Sequence, residues 1–241
     1  MKISIVVPAF NEEKLLAASL ASIRNAMTAF AGQGIESELI VCDNNSTDRT
    51  AEIAREAKAT VVFEPVNQIG RARNKGAEAA TGEWLIFVDA DSHPNKELFA
   101  DTAAAILSGK YLYGGCTVKL DHPYPVASVV VEFWNWISRT CKYAAGSFIF
   151  CETAAFREIG GFDANLYVGE EIDLSKKFKR LARKKGRRGI ILRAHPLVTS
   201  ARKMHLYTSR EHVRFLLRTV LRGGGTLRKR EECHTWYDGR R

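Results

Sequence analysis

The chain has 241 residues, enough for one large α/β domain or two small ones, and its 46% hydrophobic and 26% charged content is that of an ordinary globular protein without low-complexity tracts or repeats. Five cysteines, odd in number and without a C-x-x-C pair, indicate neither a disulfide framework nor a zinc cage and fit a reducing, cytoplasmic setting. The formal charge of +9 is uneven: residues 1–120 hold 12 Lys and Arg against 15 Asp and Glu, net −3, and residues 121–241 hold 24 against 12, net +12.

The opening MKISIVVPAFNEE has a single lysine, a short apolar run and then acids, which is not the pattern of a signal peptide. Residues 2–10, KISIVVPAF, read as a strand buried on both faces of a parallel sheet. Asn11 is placed to cap a helix over residues 12–30, in which Leu15, Leu16, Ala18, Leu20 and Ile23 fall near helical spacing. Strand ESELIVCDN (36–44), capped helix STDRTAEIAREA (46–57), strand ATVVFEP (59–65), helix GRARNKGAEAA (70–80) and strand EWLIFVDAD (83–91) follow. This alternation predicts a doubly wound, mainly parallel sheet flanked by helices, with ligands at the carboxyl ends of its strands.

Three apolar runs end in polar residues: Asn11 and Glu12, Asp43 and Asn44, Asp89 and Asp91. In an extended strand, positions i and i+2 share a face, so Asp89 and Asp91 converge, and two like charges held that close call for a cation between them. Each signal also has a plain structural reading. DNNSTDRT serves equally as a turn leading into a helix cap. GRARNKG serves as an exposed cationic helix start, and it contains neither phosphate-loop pattern, G-x-G-x-x-G or G-x-x-x-x-G-K-[ST]. What weighs against the plain readings is the joint order and spacing.

That joint pattern resembles the family-two inverting glycosyltransferases of GT-A fold. It is carried by VVPAFNEE (6–13), VCDNNSTDRT (41–50), GRARNKGAEAATGEWLIFVDAD (70–91), FREIGGFD (156–163) and GEEIDLSKKFKRLARKKG (169–186), with a weaker TSARK (199–203) beyond them. The resemblance implies one GT-A domain over residues 1–203, with a nucleotide-sugar half (1–110) and an acceptor half (111–203), followed by a basic helical tail from 204 to 241. It implies a metal-dependent, inverting transfer of a sugar from a nucleotide-diphospho-sugar to a hydroxyl acceptor. A uridine donor is favoured over a guanosine one, and the acceptor is a saccharide or a lipid-linked molecule.

The resemblance also assigns residues. Pro8, Phe10 and Glu12 would line the base pocket, and Asp43 would accept hydrogen bonds from the base or ribose. Arg71 or Arg73 would approach the diphosphate, where a guanidinium offers bidentate contacts, with Arg202 and Lys203 as weaker candidates. Asp91 would bind Mn²⁺ or Mg²⁺, with Asp89 beside it toward the ribose or the metal, since carboxylates and a diphosphate suit hard cations. Similar polyprenol-phosphate transferases place a ligand two residues after the second aspartate, which makes His93 a further candidate. The family's base is usually the aspartate of a Glu-Asp pair opening a helix. Here the pair is Glu170 and Glu171, so Glu171 is the expected base, with a reach longer by one methylene, roughly 1.5 Å. Asp173 is the alternative base, and acids that satisfy a helix dipole are the plain reading of all three.

Two competing functions remain at this point: a non-catalytic nucleotide-sugar-binding protein, favoured by the altered acidic pair, and a sugar-nucleotide pyrophosphorylase, which would need a G-x-G-T-x-R type loop where this chain has PAFNEE. The apolar run PVASVVVEFWNWI (125–137) is short of the roughly 20 residues that span a bilayer and includes Glu132. Trp134 and Trp136 make it core, a dimer contact or a cradle for a lipid-linked acceptor. The run KKFKRLARKKGRR (176–188) reads as a solvated helix face or as a docking aid at an anionic membrane inner face. No helix-turn-helix, RNP or zinc-finger pattern accompanies the charge, so nucleic acid is not an expected partner.

Overall fold

In the computed structural model of the chain the described residues are 1–122, 125–201, 225–229, 231 and 233. The elements in order are β1 (Lys2–Ala9), α1 (Leu16–Ala31), β2 (Glu36–Asp43), α2 (Thr50–Glu56), β3 (Thr60–Phe63), α3 (Ile69–Ala79), β4 (Trp84–Val88), β5 (Ser92–His93), α4 (Lys96–Leu107), β6 (Tyr111–Leu120), α5 (Pro125–Cys141), β7 (Phe148–Glu152), α6 (Thr153–Glu158), α7 (Glu170–Lys184) and β8 (Arg188–Thr199), with a short 3-10 helix at Gly225–Arg228. The described strands form one eight-stranded sheet in the order β3-β2-β1-β4-β7-β6-β8-β5. Strands β1 to β4 are mutually parallel, β6 and β8 run parallel to each other, and β7 and β5 are antiparallel to their neighbours.

The doubly wound form follows from side-chain alternation. Ile3, Ile5 and Val7 of β1, with Trp84, Ile86 and Val88 of β4, enter one core with Leu16, Leu20 and Phe30 of α1 and Phe99 of α4. Val6, Leu85 and Phe87 point the other way into a second core with Phe156, Phe162, Leu174 and Phe178. A strand apolar at every position can bury both faces only when helices cover both, as they do here. On the second face α3 lies so close to β1 that a Cβ at Gly76 would come within 2.3 Å of a Val6 methyl.

Several boundaries differ from expectation for local reasons. Asn11 does not cap α1. It sits at φ 51°, and its side-chain oxygen instead accepts from the Thr47 nitrogen at 2.8 Å, tying the end of β1 to the loop after β2. The helix starts at Leu16, after the Glu12 carbonyl has accepted from the nitrogens of Leu15 and Leu16. Likewise α2 begins at Thr50 rather than residue 46, with Asp48 accepting from the Thr50 nitrogen at 3.0 Å. Strand β4 stops at Val88 rather than running through residue 91. Among the described residues no helix is long and apolar enough to cross a membrane. Arg202, Lys203 and most of the expected helical tail lie outside the described residues.

Candidate active site

Because β1, β2 and β4 are parallel, their carboxyl ends meet on one edge of the sheet, where open α/β folds take ligands. Ala9 at the end of β1 lies opposite Asp43 at the end of β2. Pro8 is buried within β1, Phe10 is half-buried just past it, and Glu12 is buried with its nitrogen donating to the Thr50 hydroxyl at 2.8 Å. Asp43 is buried and its Oδ1 accepts from the Ser46 nitrogen at 3.0 Å, which fixes the carboxylate at the strand tip.

The segment after β4 supplies the acidic pair. The Asp89 nitrogen donates to the Ser147 carbonyl at 3.3 Å, and the Asp89 carbonyl accepts from Ser92 at 3.1 Å, closing a turn through Ala90 and Asp91. The Ser200 nitrogen donates to the Asp91 carbonyl at 3.2 Å, so the end of β8 braces this turn. Since the chain turns here, strand alternation does not set the directions of Asp89 and Asp91. Asp89 is drawn to Arg73, and His93 lies in β5 opposite Val198. Among the described residues no group of three or more His, Cys, Asp or Glu is arranged to hold a metal. Asp91, partly accessible at the sheet edge, and Asp89 still offer hard oxygen donors of the kind that bind Mg²⁺ or Mn²⁺ together with phosphate oxygens from a substrate.

Of the two candidate guanidiniums on α3, that of Arg73 is almost wholly buried. One guanidinium nitrogen donates to Glu170 Oε1 at 2.8 Å, the other to Asp89 Oδ1 and to the Gly146 carbonyl, each at 2.9 Å, and the group lies 5.2 Å from the centre of the Phe162 ring. Burial pulls the Arg73 guanidinium down, but Asp89, Glu170 and Glu171 outweigh it and set it above its ordinary value. Arg71 is the more accessible of the two and pairs with the buried Glu64 at 3.0 Å.

Helix α7 opens at Gly169, whose φ of 80° suits glycine, and its first turn carries Glu170, Glu171 and Asp173. The two glutamates are not equivalent. Glu170 is buried against Arg73, where loss of solvent and then the nearby Glu171 push it well above the usual carboxylate range, against the pull of the guanidinium. Glu171 is half-buried. Asp173 is engaged by Lys177 at 2.9 Å, one helical turn on.

Some residues of the site had no separate signal in sequence. Buried Asn44 donates to the Glu64 and Val66 carbonyls at 3.2 and 2.6 Å and accepts from the Gln68 nitrogen at 2.9 Å. Gln68 in turn donates to the Ala164 and Leu166 carbonyls, both at 2.8 Å, in the loop that leads to α7. Asn44 was legible as part of the polar end of β2. Gln68 was not, since its partners lie almost a hundred residues away.

Residues 4–152 match the family model described as Glycosyl transferase family 2. Poly(ribitol-phosphate) beta-N-acetylglucosaminyltransferase TarS of Staphylococcus aureus is 34% identical over 113 residues, which cover 44% of this chain and 19% of that protein. Dolichol-phosphate mannosyltransferase of Pyrococcus furiosus is 31% identical over 130 residues, covering 48% and 35%. The chain thus spans about a fifth to a third of the length of these curated relatives. Among solved structures, the mannosyltransferase PcManGT from Pyrobaculum calidifontis, in complex with GDP-Man and Mn²⁺, is similar with a TM-score of 0.69 at 19% identity, over 88% of this chain and 59% of that one. S. aureus TarS 1-349 in complex with UDP-GlcNAc is similar with a TM-score of 0.66 at 24% identity, over 98% and 69%. At such identities the likeness is one of fold, and it agrees with the mainly parallel sheet flanked by helices described above.

Proposed function

The chain belongs to glycosyl transferase family 2, and from that premise we propose that it is a metal-dependent, inverting hexosyltransferase that moves a sugar from a nucleotide-diphospho-sugar to a hydroxyl acceptor. The observation that carries the reading is the gathering of Asp43, Asp89 and Asp91 on the carboxyl edge of the parallel strands, with the half-exposed Glu171 opening the helix that Arg73 ties to the same edge. Family membership also sets the pyrophosphorylase alternative aside.

In this reading Phe10, Glu12 and Asp43, over the buried Pro8, receive the nucleoside, and the fixed Asp43 carboxylate accepts from its base or ribose. Asp91, with Asp89, would hold Mn²⁺ or Mg²⁺, which when bound neutralises charge on the diphosphate as a Lewis acid. Arg71 is the accessible guanidinium for the same phosphates, and Arg202 is a further one by position in the chain. Glu171 accepts the proton of the acceptor hydroxyl. The hydroxyl oxygen forms its bond to the anomeric carbon as the bond to the diphosphate breaks, on the opposite face, so the configuration inverts. Glu170, committed to Arg73, does not take part in that proton transfer.

A uridine donor is favoured, with guanosine second. Relatives in solved structures were seen with UDP-GlcNAc and with GDP-Man. For the acceptor side, α5 carries an apolar face with Val129, Val130, Phe133 and Trp136 exposed, while Trp134 packs against the core. That face supports a peripheral contact with an anionic membrane, reached by a lipid-linked or saccharide acceptor from the cytoplasmic side. A thermal-shift screen of UDP- and GDP-sugars, each with and without Mn²⁺, tests the donor assignment. A metal-dependent rise in the unfolding midpoint is expected, since a ligand that binds only the native state stabilises it by mass action. No shift with any donor would remove the reading.

A further inference from the structure

The buried Arg73 guanidinium joins parts of the molecule that the reaction must keep in register. Its own helix, α3, lies on the nucleotide-sugar side. Its acceptors are Asp89 just past β4, the Gly146 carbonyl before β7, and Glu170 in the first turn of α7. Asp89 is two residues from Asp91, and Glu170 is adjacent to Glu171. The surroundings are closely fitted: a Cβ at Gly146 would stand 3.2 Å from the guanidinium, and one at Gly70 would stand 3.5 Å from Phe162 and 3.6 Å from Glu170.

This is a costly way to fill a core. The Arg73 Nε is buried without a hydrogen-bond partner among the described residues, and a buried ion pair is often no more stabilising than apolar side chains of the same volume. An apolar side chain would pack here. It could not bind two carboxylates and a carbonyl from separate segments at 2.8 to 2.9 Å. We infer that Arg73 is a positioning residue: it sets the distance between the acidic edge that receives the donor diphosphate and Glu171, while touching no substrate itself. The inference rests on the transferase reading given above and assigns the spacing of its two halves to one side chain.

Two variants test it. Arg73→Lys keeps the charge but loses the planar fork. Arg73→Met/Glu170→Gln removes both members of the buried pair, because removing the arginine alone would strand a buried carboxylate. Thermal unfolding reports the fold, calorimetric titration with UDP and Mn²⁺ reports the donor side, and initial rates of UDP release from UDP-N-acetylglucosamine or GDP release from GDP-mannose report turnover. Both variants are expected to fold and to bind the nucleotide within about threefold of wild type, yet the double variant should turn over about 100-fold more slowly, the scale of a misplacement near 1 Å. The lysine variant should recover part of the rate. Unchanged turnover overturns the inference, as does a loss of nucleotide binding in step with turnover, which would make Arg73 a donor-binding group. Wild-type protein that releases nucleotide from neither donor overturns the transferase reading and this inference with it, an outcome distinct from active wild type with equally active variants. If one variant unfolds below the assay temperature, the other decides.

Discussion

Asn44 and Gln68 are joined by a 2.9 Å hydrogen bond from the Gln68 nitrogen to the Asn44 side-chain oxygen, with both residues buried. The contact links the end of β2 to the start of α3, and Gln68 passes the link on to the loop before α7. Replacement of Asn44 by Leu removes an acceptor and two donations at once and strands buried main-chain groups. The expected cost is about 2–4 kcal/mol, since each such group costs roughly 1–3. Denaturant unfolding measures it, and a change below about 0.5 kcal/mol, the usual scale of a surface substitution, would show that water replaces these bonds freely.

The two glutamates at the start of α7 separate by exposure. Glu171→Gln is expected to lower transfer by about 100- to 10,000-fold, the range for loss of a general base, with little effect on nucleotide binding. Asp173→Asn should retain transfer, because Asp173 is occupied by Lys177. Steady-state rates of the two variants decide between them. An active Glu171→Gln would move the base elsewhere.

How much of this was legible in the sequence depends on distance along the chain. Strands β1 to β4 and the helices between them were readable because apolar runs and polar strand ends are local signals. The antiparallel insertion of β7 beside β4 was not, because pairing of Trp84 with Glu152 and Val88 with Phe148 joins positions some sixty residues apart. The shared face expected for Asp89 and Asp91 was inferred from a strand that in fact ends at Val88. Arg73 was one of two candidate guanidiniums, and its burial was not foreseen. Helical spacing places a guanidinium on a face, and only the tertiary partners Asp89, Gly146 and Glu170 show that the face is buried.

Close packing of α3 on β1 makes Gly76 sensitive. An alanine Cβ would stand 2.3 Å from the buried Val6 Cγ1, with sheet behind it and no flexible side-chain end to give way. Gly76→Ala should destabilise the protein by about 1–3 kcal/mol, as overpacking does. The chevron or equilibrium unfolding curve reads this directly, and wild-type stability would contradict the packing.

Acid sensitivity has a local source at Glu38. Burial pushes its carboxyl up, but Lys2 and the hydrogen bonds from Ser4 and Thr81 more than offset this and bring it to about 2 from its ordinary 4.5. A folded value below the unfolded one adds stability that is present in full above pH 4.5 and is lost as pH falls from there toward 2. Glu38→Gln should therefore flatten the fall of the unfolding midpoint across that window. Parallel curves for the two proteins would contradict it.

Phe133 and Trp136 stack 6.0 Å apart on the exposed face of α5. The double variant Phe133→Ser/Trp136→Ser should change stability by no more than about 0.5 kcal/mol, as exposed substitutions do, and should reduce flotation with anionic liposomes. Wild-type protein that fails to associate with such vesicles at low salt would remove the proposed membrane contact.

In the proposed function the acidic edge beyond β4 receives a nucleotide diphosphate through a divalent ion at Asp91. Calorimetric titration of UDP and of GDP into wild type and Asp91→Asn, with Mn²⁺ and with chelator, tests this most directly. Wild type should bind one of the two only when Mn²⁺ is present, and Asp91→Asn should lose this dependence along with most of the affinity. Equal binding by both proteins, indifferent to the metal, would contradict it.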